Sequence, residues 1–208
     1  MQLKVYREND INQKLKTRSL YEECFPNDSK RLVDYYYSVL VKRNIILTLE
    51  DQDAVVSMIH LNPYLYFVCG EKTNIHYLFA IATKEEYRYK GFMKELINEA
   101  ISYLSKTNEP FCYLAPEFPE LEELYKKFGF YKICNYTFDK FSKDDYDIFP
   151  IRNDEFNAMM REEQSFLSED PEDYIEGLKK RVVLGRTLNN DVSIEFLQSK
   201  KIYICNEV

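Results

Sequence analysis

The order of the predicted secondary-structure elements indicates an α/β protein with a mixed central sheet and helices on both faces. Residues 1–141 alternate strand-like and helix-like segments in the order β-α-α-β-β-β-α-β-α-β. A strongly amphipathic helix follows Gly91, and the strand-like runs before and after it are apolar enough to be buried. A sheet covered by helices on both faces is the natural packing for such an order.

Two helices are predicted after a first strand at residues 3–7. Residues 11–24 have helical spacing. The apolar face of this helix consists of Ile11, Leu15, Leu20 and Cys24. Residues 25–28 contain a proline and end the helix. The hydroxyl of Ser29 can then cap a second helix that extends to about Val41.

Three strand-like runs come next, at residues 45–49, 54–61 and 75–83. Residues 51–53 have the composition of a hairpin turn between the first two runs. The segment 64–74 is interpreted as a loop before the third run.

The helix after Gly91 has the clearest period in the chain. Its apolar face consists of Phe92, Met93, Leu96, Ile97, Ala100, Ile101 and Leu104. A strand at residues 111–115 follows this helix. A helix at 119–128, stopped by Gly129, and a last strand at 130–141 complete the order.

The segment Arg88-Tyr89-Lys90-Gly91 lies between an apolar strand and that helix, and it predicts an anion site. The first amides of a helix have no intrahelical partner, and the helix dipole adds positive potential at that end. A phosphate group is therefore the expected ligand. The alternative is a solvated basic turn that binds nothing.

Composition restricts the class of protein. With 208 residues, 45% apolar and 15% aromatic, the chain is expected to form one well-cored domain with a smaller appendage. No apolar run approaches the roughly 18–20 residues of a membrane span, so we expect no membrane partner. The five cysteines show no metal-ligand spacing, which favours buried reduced thiols in a cytoplasmic protein and no metal site.

The formal net charge of -7 is concentrated in the last third of the chain. Residues 142–208 contain 15 acidic and 9 basic residues. This balance argues against a nucleic-acid partner bound by phosphate neutralisation and is compatible with a cationic substrate. Acidity that only aids solubility is the alternative.

The chain resembles the GNAT family of acyl-CoA-dependent N-acetyltransferases over about residues 1–141. The family's pyrophosphate loop has an Arg or Gln, two variable residues and a Gly, which matches residues 88–91. The family's late LYxxxGF element is matched by Leu124-Tyr125-Lys126-Lys127-Phe128-Gly129-Phe130. A finer resemblance is to the N-terminal domain of the Eis-like aminoglycoside acetyltransferases, carried by residues 24–25, 56–64 and 113–116.

Two loop positions depart from the family pattern. Tyr89 stands where a glycine is frequent, and Met93 stands where a small residue is frequent. The Eis-like enzymes also use their C-terminal carboxylate as the catalytic base, and that role is not carried over to Val208.

The resemblance implies a GNAT fold and acetyl-CoA as co-substrate. Its pyrophosphate would be held by backbone N–H groups of Tyr89, Lys90, Gly91, Phe92 and Met93. Arg88 and Lys90 would add positive charge. The pantetheine arm would pair with the backbone of Phe79, Ala80, Ile81 and Ala82.

Tyr125 matches the family's general acid, which would protonate the leaving thiolate. The alternative is a tyrosine that only packs its ring. The residues do not identify a general base: His60, Glu117 and ordered water are candidates, and a structural role is the alternative for His60. No Cys–His pair indicates covalent catalysis, and His60 and His76 are too few for a typical zinc site.

The resemblance implies transfer of an acyl group from CoA to a primary amine of a small molecule or peptide, by direct attack in a ternary complex. The amine would bind between the first two helices and at the segment 64–74. A non-catalytic acyl-CoA-binding sensor or scaffold is one alternative. Acylation of a protein amine recruited by the acidic tail is another.

Residues 142–208 are predicted to form a C-terminal extension that repeats the opening order β-α-α-β-β. It would have a strand at 146–151, two helices, and a hairpin at 192–205. By comparison with the Eis-like enzymes this is a shortened second GNAT-like lobe; a helical cap or dimerisation arm is the alternative. Half a fold leaves strand edges unpaired, so we expect packing on the first domain or on a second copy in a homodimer.

Overall fold

The computed structural model describes residues 1–135, 143–151, 181–189 and 191–204. The chain forms two compact units. The first consists of residues 1–63 and 77–107, and the second of residues 64–76 and 108–208. The predicted division into domains 1–141 and 142–208 is a different one and stays a prediction.

The first unit opens with antiparallel strands. β1 (Gln2–Tyr6) pairs with β2 (Ile45–Asp51), and β2 pairs with the first part of β3 (Ala54–Val68). The turn between β2 and β3 has positive φ at Gln52 and Asp53, as expected for a tight hairpin. These elements confirm the predicted strands and turn.

The first predicted helix is two helices, α1 (Ile11–Leu15) and α2 (Arg18–Cys24). The predicted apolar face is wrong at Leu15, which is exposed, while Lys14 is fully buried. The reason is polar: the Lys14 ammonium donates hydrogen bonds to the carbonyl oxygens of Val41, at 2.9 Å, and of Asn44. An apolar pattern cannot reveal a lysine that is buried by such bonds.

Helix α3 (Lys30–Tyr35) begins as predicted, since the Ser29 hydroxyl accepts a hydrogen bond from the Leu32 N–H at 3.2 Å. The chain then continues as a π-helical turn, Tyr36–Leu40. Tyr36 and Tyr37 are both buried by this turn. Such turns are rare and are often found at functional sites.

The segment 64–74 is mostly strand, so its interpretation as a loop is wrong. β3 continues to Val68, and β4 (Glu71–Thr83) starts after a two-residue turn at Cys69 and Gly70, both with positive φ. Tyr64 is buried while Leu65 is exposed, which is the period of two that marks a strand.

Helix α4 (Phe92–Leu104) confirms the clearest prediction of the sequence. Its fully buried residues are Leu96, Ile97, Ala100 and Leu104. They lie on one face at the spacing expected for a helix that packs on a core.

The second unit contains the remaining elements. They are β5 (Phe111–Leu114), α5 (Glu120–Lys126), β6 (Tyr131–Asn135), β7 (Ile148–Pro150), β8 (Val182–Thr187) and α6 (Ile194–Gln198). β7 pairs antiparallel with the end of β3 at Tyr66–Val68. The order of helices and strands confirms the predicted α/β class.

Strand β8 was not predicted, and it lies between β5 and β6, antiparallel to both. Gly185 allows this close packing, because a Cβ there would approach carbon atoms of Ile133 to 2.8 Å. The sheet of this unit is thus completed by a strand that comes about 50 residues after β6.

The predicted hairpin at 192–205 is wrong at its first strand. Ser193 caps α6 instead, with its hydroxyl accepting from the Phe196 N–H at 3.1 Å. Ile202 forms only an isolated parallel bridge with Ile148 on β7. The two tail helices, predicted after Asn153 and after Ser168, lie outside the described residues.

Two expectations drawn from the composition concern the burial of the cysteines and the lack of membrane-spanning helices. Among the described cysteines, Cys112 is buried, Cys24 and Cys134 are half-buried and Cys69 is exposed, so the prediction of mostly buried thiols holds only for Cys112. None of the helices in the described part of the chain has both the length and the apolar character needed to span a membrane.

Candidate active site

Helix α4 begins at a glycine with left-handed backbone. Gly91 is its N-cap and has φ of +86°. A Cβ at this position would meet no described atom within 4 Å, so the available space does not require glycine. The left-handed backbone conformation is what favours glycine here. The first bond inside the helix is donated by the Glu95 N–H to the Gly91 oxygen at 3.0 Å. The N–H groups of Phe92, Met93 and Lys94 therefore have no intrahelical acceptor.

The two basic side chains before α4 are anchored by backbone carbonyls. Arg88 Nε donates to the Thr83 oxygen at 3.1 Å, and Lys90 Nζ donates to the Glu86 oxygen at 2.8 Å. The Lys90 ammonium also lies 4.8 Å from the ring centroid of Tyr87. Arg88 and Lys90 are both exposed, so they add accessible positive charge beside the first amides of α4.

Tyr89 is a second left-handed residue in this turn, with φ of +62° and a fully exposed side chain. A tyrosine rarely takes this conformation, and a residue held there stores strain. Turns with left-handed residues orient successive backbone N–H groups to form anion-binding concavities. Residues 88–91 thus contain two left-handed residues, Tyr89 and Gly91, and the phosphate site there stays a prediction.

Strand β4 contains an irregularity within the predicted pantetheine segment. Ala80 has φ of +47°, although it is not glycine and lies in the middle of a strand. Phe79, Ala80 and Ala82 are buried and Ile81 is half-buried. A left-handed residue interrupts the regular pairing of a strand and turns its peptide groups away from the ladder.

The strand is held firmly just after this irregularity. The Ser57 hydroxyl on β3 donates to the Ala82 oxygen at 2.9 Å and lies 2.7 Å from the Thr83 hydroxyl. The Lys84 N–H donates to the Val56 oxygen at 2.9 Å. These bonds lock β4 to β3 between the irregularity and the basic turn.

His60, one candidate for the base, is fully buried in the first unit. Its Nδ1 lies 2.7 Å from the Tyr36 hydroxyl. Burial, reinforced by the nearby charge of Lys14, lowers the pKa of His60 to about 3. A neutral imidazole without exposed surface fits the structural role that was left open in the sequence. The other candidate, Glu117, is exposed in the segment between β5 and α5.

The second histidine has a different partner. His76 Nδ1 lies 2.7 and 2.9 Å from the two carboxylate oxygens of Glu109. The backbone N–H of His76 also donates to Glu109 Oε2, at 3.1 Å. Both residues belong to the second unit and are buried. The sequence gives no sign of this pair, because the two residues are 33 positions apart.

Tyr125 lies on α5 in the second unit. Its side chain is buried, and its ring meets that of Phe130 in a T-shaped contact with centroids 6.3 Å apart. Gly129, with φ of +76°, ends the helix, and Arg186 on β8 donates to the Phe128 oxygen. The catalytic role of Tyr125 stays a prediction.

A comparison with known protein families identifies the family of this chain. A family model described as an acetyltransferase (GNAT) domain matches residues 5–133. The chain belongs to the GNAT family of acetyltransferases. The match includes residues 79–82, 88–93 and 125, whose roles in the site stay predictions.

Solved structures share this fold at low sequence identity. An aminoglycoside 6'-acetyltransferase type Ii is 14% identical with a TM-score of 0.57, over 91% of this chain and 98% of that one. A protein from Enterococcus faecalis V583, described as a "Probable N-Acyltransferase", is 16% identical with a TM-score of 0.55, over 64% and 33%. Eis1 from Mycobacterium abscessus is 11% identical with a TM-score of 0.52, over 65% and 32%.

These likenesses show the GNAT fold alone. The chain spans about a third of the length of the Enterococcus and Mycobacterium proteins. The finer assignment to an Eis-like subgroup therefore stays a prediction. A comparison with curated proteins found no significant match.

Proposed function

We propose that this chain transfers an acetyl group from acetyl-CoA to a primary amine of a small molecule or peptide, by direct attack in a ternary complex. The observation that carries the proposal is the start of α4. There the left-handed Gly91, the first-turn amides that have no intrahelical acceptor and two exposed cations lie together in a member of the GNAT family. A pyrophosphate is the ligand that this combination of donors and charge favours.

The cofactor would bind along the first unit. The backbone N–H groups of residues 89–93 would hold the pyrophosphate, and Arg88 and Lys90 would neutralise its charge. The peptide groups of residues 79–82 would pair with the pantetheine arm, and the left-handed Ala80 supports this because a residue in that conformation departs from the regular geometry of a strand ladder.

The chemistry needs a neutral amine and a proton for the leaving group. The amine nitrogen attacks the thioester carbonyl, a C–N bond forms and the C–S bond breaks. The CoA thiolate then takes a proton, and we propose that the Tyr125 hydroxyl supplies it. No covalent acyl-enzyme is required by this sequence of steps.

We further infer that His76 accepts the proton that the amine loses. The support is its pairing with Glu109, whose two oxygens both lie at Nδ1. A carboxylate in this position accepts a hydrogen bond from Nδ1–H and so fixes the tautomer, which leaves Nε2 as the nitrogen with a lone pair. Glu109 would act as a positioning residue.

A non-catalytic acyl-CoA-binding protein is the alternative function. It would use the same loop and would not need Tyr125 or His76. The predicted lack of nucleic-acid and membrane partners, the cytoplasmic location and the homodimer stay predictions.

The test combines acetyl-CoA binding by calorimetry with free-thiol release over a panel of primary amines. We expect binding at micromolar concentrations and amine-dependent thiol release over many turnovers. Binding without turnover on any amine would favour the sensor, and no binding would contradict both functions.

Two variants then test the assigned roles. Tyr125→Phe and His76→Asn are each expected to lower kcat about 100-fold, within the range for one acid–base group. Acetyl-CoA affinity should change little in either variant. A fall in affinity with kcat preserved would contradict both catalytic assignments. Glu109→Gln should show a smaller loss of kcat with KM unchanged, a split that a merely structural role would not produce.

A further inference from the structure

Tyr87 connects the basic turn before α4 to the end of β2. It is the last residue of a short 3₁₀-helical turn, Glu85–Tyr87, that follows β4, and its side chain is half-buried. The Tyr87 hydroxyl donates to Asp51 Oδ2 at 3.1 Å, and Asp51 is the last residue of β2. One end of the Tyr87 side chain is therefore fixed to the sheet.

The ring of Tyr87 contacts residues on both sides of Gly91. The Lys90 ammonium lies 4.8 Å from the ring centroid, and the centroid of the Phe92 ring lies 6.2 Å from it. Lys90 Nζ also donates to the backbone oxygen of Glu86 at 2.8 Å. A ring and a carbonyl group thus hold the ammonium together.

Both of these contacts leave the charge of Lys90 intact. An aromatic face and a carbonyl oxygen attract a cation through partial charges and carry no formal charge. The Glu86 carboxylate lies 2.8 Å from Lys84 Nζ, and among the described residues no carboxylate forms an ion pair with Lys90. A lysine in an ion pair would have to leave its carboxylate before it could bind another anion, whereas Lys90 would not.

A side chain that is fixed before the ligand arrives favours binding. A long lysine side chain loses much conformational freedom when it is ordered. When the protein has already ordered it, less entropy is lost on binding and the affinity is higher. The contact between the Tyr87 ring and Lys90 therefore has a consequence for any anion that Lys90 binds.

We propose that Tyr87 is a positioning residue for acetyl-CoA: its ring holds the Lys90 ammonium beside the first amides of α4, and Asp51 holds the ring. The inference rests on the proposed binding of the pyrophosphate at residues 88–93. Tyr87 need not touch the cofactor in this role, because it acts through Lys90. Its contribution is to the affinity for acetyl-CoA and not to the chemical step.

A double-mutant cycle measured by calorimetry tests whether Tyr87 acts through Lys90. Its four proteins are the wild type, Tyr87→Leu, Lys90→Met and the double variant. Tyr87→Leu should weaken acetyl-CoA binding about two- to fivefold, which is the range for an exposed cation–π contact. In the Lys90→Met background the same substitution should have almost no effect. An equal loss in both backgrounds would overturn the proposal.

Steady-state kinetics separates a positioning role from a merely structural one. Tyr87→Leu should raise the KM for acetyl-CoA by a similar factor and leave kcat unchanged, which is the signature of lost uniform binding. Tyr87→Phe keeps the ring, so its KM should lie close to that of the wild type. A fall in kcat with KM unchanged in Tyr87→Leu, or equal KM values in the two variants, would contradict the proposal.

Tyr103→Leu is the matched control for Tyr87→Leu. Tyr103 is a half-buried tyrosine in the last turn of α4, and the Arg7 guanidinium lies 5.6 Å from its ring centroid. It therefore has the same kind of contact with a cation, at the end of α4 opposite the basic turn. Acetyl-CoA affinity should be unchanged in Tyr103→Leu. An equal loss in both variants would mean that a general effect on the fold weakens binding, and the proposal would be wrong.

The experiment distinguishes a failure of this inference from a failure of the proposed function. If the wild type binds acetyl-CoA and releases thiol with an amine, but Tyr87→Leu binds equally well, only the inference fails. If the wild type does not bind acetyl-CoA, both fail.

A measurement on the wild-type chain covers the case in which Tyr87→Leu does not fold. The ring current of Tyr87 should move the Lys90 Hε resonances upfield of their usual position in a proton NMR spectrum. Assigned Lys90 resonances at the usual position would overturn the proposal without any variant.

Discussion

Gly91 and Ala80 have the same left-handed backbone but reach it in opposite ways. Gly91, with φ of +86°, is exposed at the start of α4, and Ala80, with φ of +47°, is buried in β4. Glycine enters this region freely, whereas an L side chain costs roughly 1–2 kcal/mol there. At the helix start the residue type suits the conformation. In the strand, the surrounding packing must impose it.

The contacts around the two residues explain the difference. Gly91 has open space where a Cβ would lie, so its conformation is not imposed by crowding around that position. Ala80 is followed by carbonyl and amide groups that Ser57 and Val56 hold in place. The turn before α4, one half of the proposed cofactor site, is thus shaped by local backbone preference. The irregular part of β4, the other half, is shaped by the residues packed around it.

The largest effect, a loss of acetyl-CoA affinity, is expected when the turn at residues 88–91 is disrupted. Arg88→Ala with Gly91→Glu removes a cation and places bulk and negative charge at the free amides. We expect acetyl-CoA affinity to fall about 100-fold or more, since hydrogen bonds to charged groups are each worth about 1.5–3 kcal/mol. Calorimetry measures this directly.

Lys106→Ala is the matched control for that double variant. Lys106 is an exposed cation just after the opposite end of α4. Its loss should leave acetyl-CoA affinity nearly unchanged. An equal fall in both proteins would mean that overall charge, not the turn, attracts the cofactor.

A smaller effect is expected when Gly91 gains only a methyl group. Gly91→Ala should lower the free energy of unfolding by about 1–2 kcal/mol, because the left-handed conformation disfavours a Cβ although space is available. Denaturant unfolding provides the measurement. Gly91→Asn should recover part of the loss, since asparagine tolerates this region, and equal losses in both variants would argue against a backbone cause.

At Ala80, in the buried strand, a substitution is expected to change the free energy of unfolding in the opposite direction. Glycine in a strand interior usually costs about 0.5–1 kcal/mol, but at Ala80 it also relieves the left-handed strain of about 1–2 kcal/mol. Ala80→Gly should therefore leave the free energy of unfolding unchanged or raise it by up to about 1.5 kcal/mol. Ala82→Gly is the matched control, buried in the same strand without positive φ, and it should destabilise. Equal destabilisation by both would refute the strain at Ala80.

The smallest effect is expected at Tyr89, which is left-handed and fully exposed. Tyr89→Asn should raise the free energy of unfolding by about 0.5 kcal/mol, because asparagine enters this region more readily than tyrosine. Acetyl-CoA affinity should be kept, since backbone groups bind the phosphate. A clear loss of stability would show that the Tyr89 side chain has a packing role.

Much of the fold could be predicted because its signals are local. The period of α4, the cap at Ser29 and the turn before β3 each depend on a few neighbouring residues, and the structure confirms them. The errors came where distant partners decide. Lys14 is buried by carbonyls about 30 residues away, and the segment 64–74 is extended in part because β7 pairs with the end of β3.

The amino-acid sequence by itself determined the class of fold and indicated the start of α4 as the proposed anion site, since glycine, charge and helical period act within one short stretch. Only the tertiary structure decided that β8 lies between β5 and β6, because pairing depends on strands far apart in the chain. It also decided that His60 shares a hydroxyl partner while His76 is paired with a carboxylate. Those partners come from other segments of each unit, so no local pattern could reveal them.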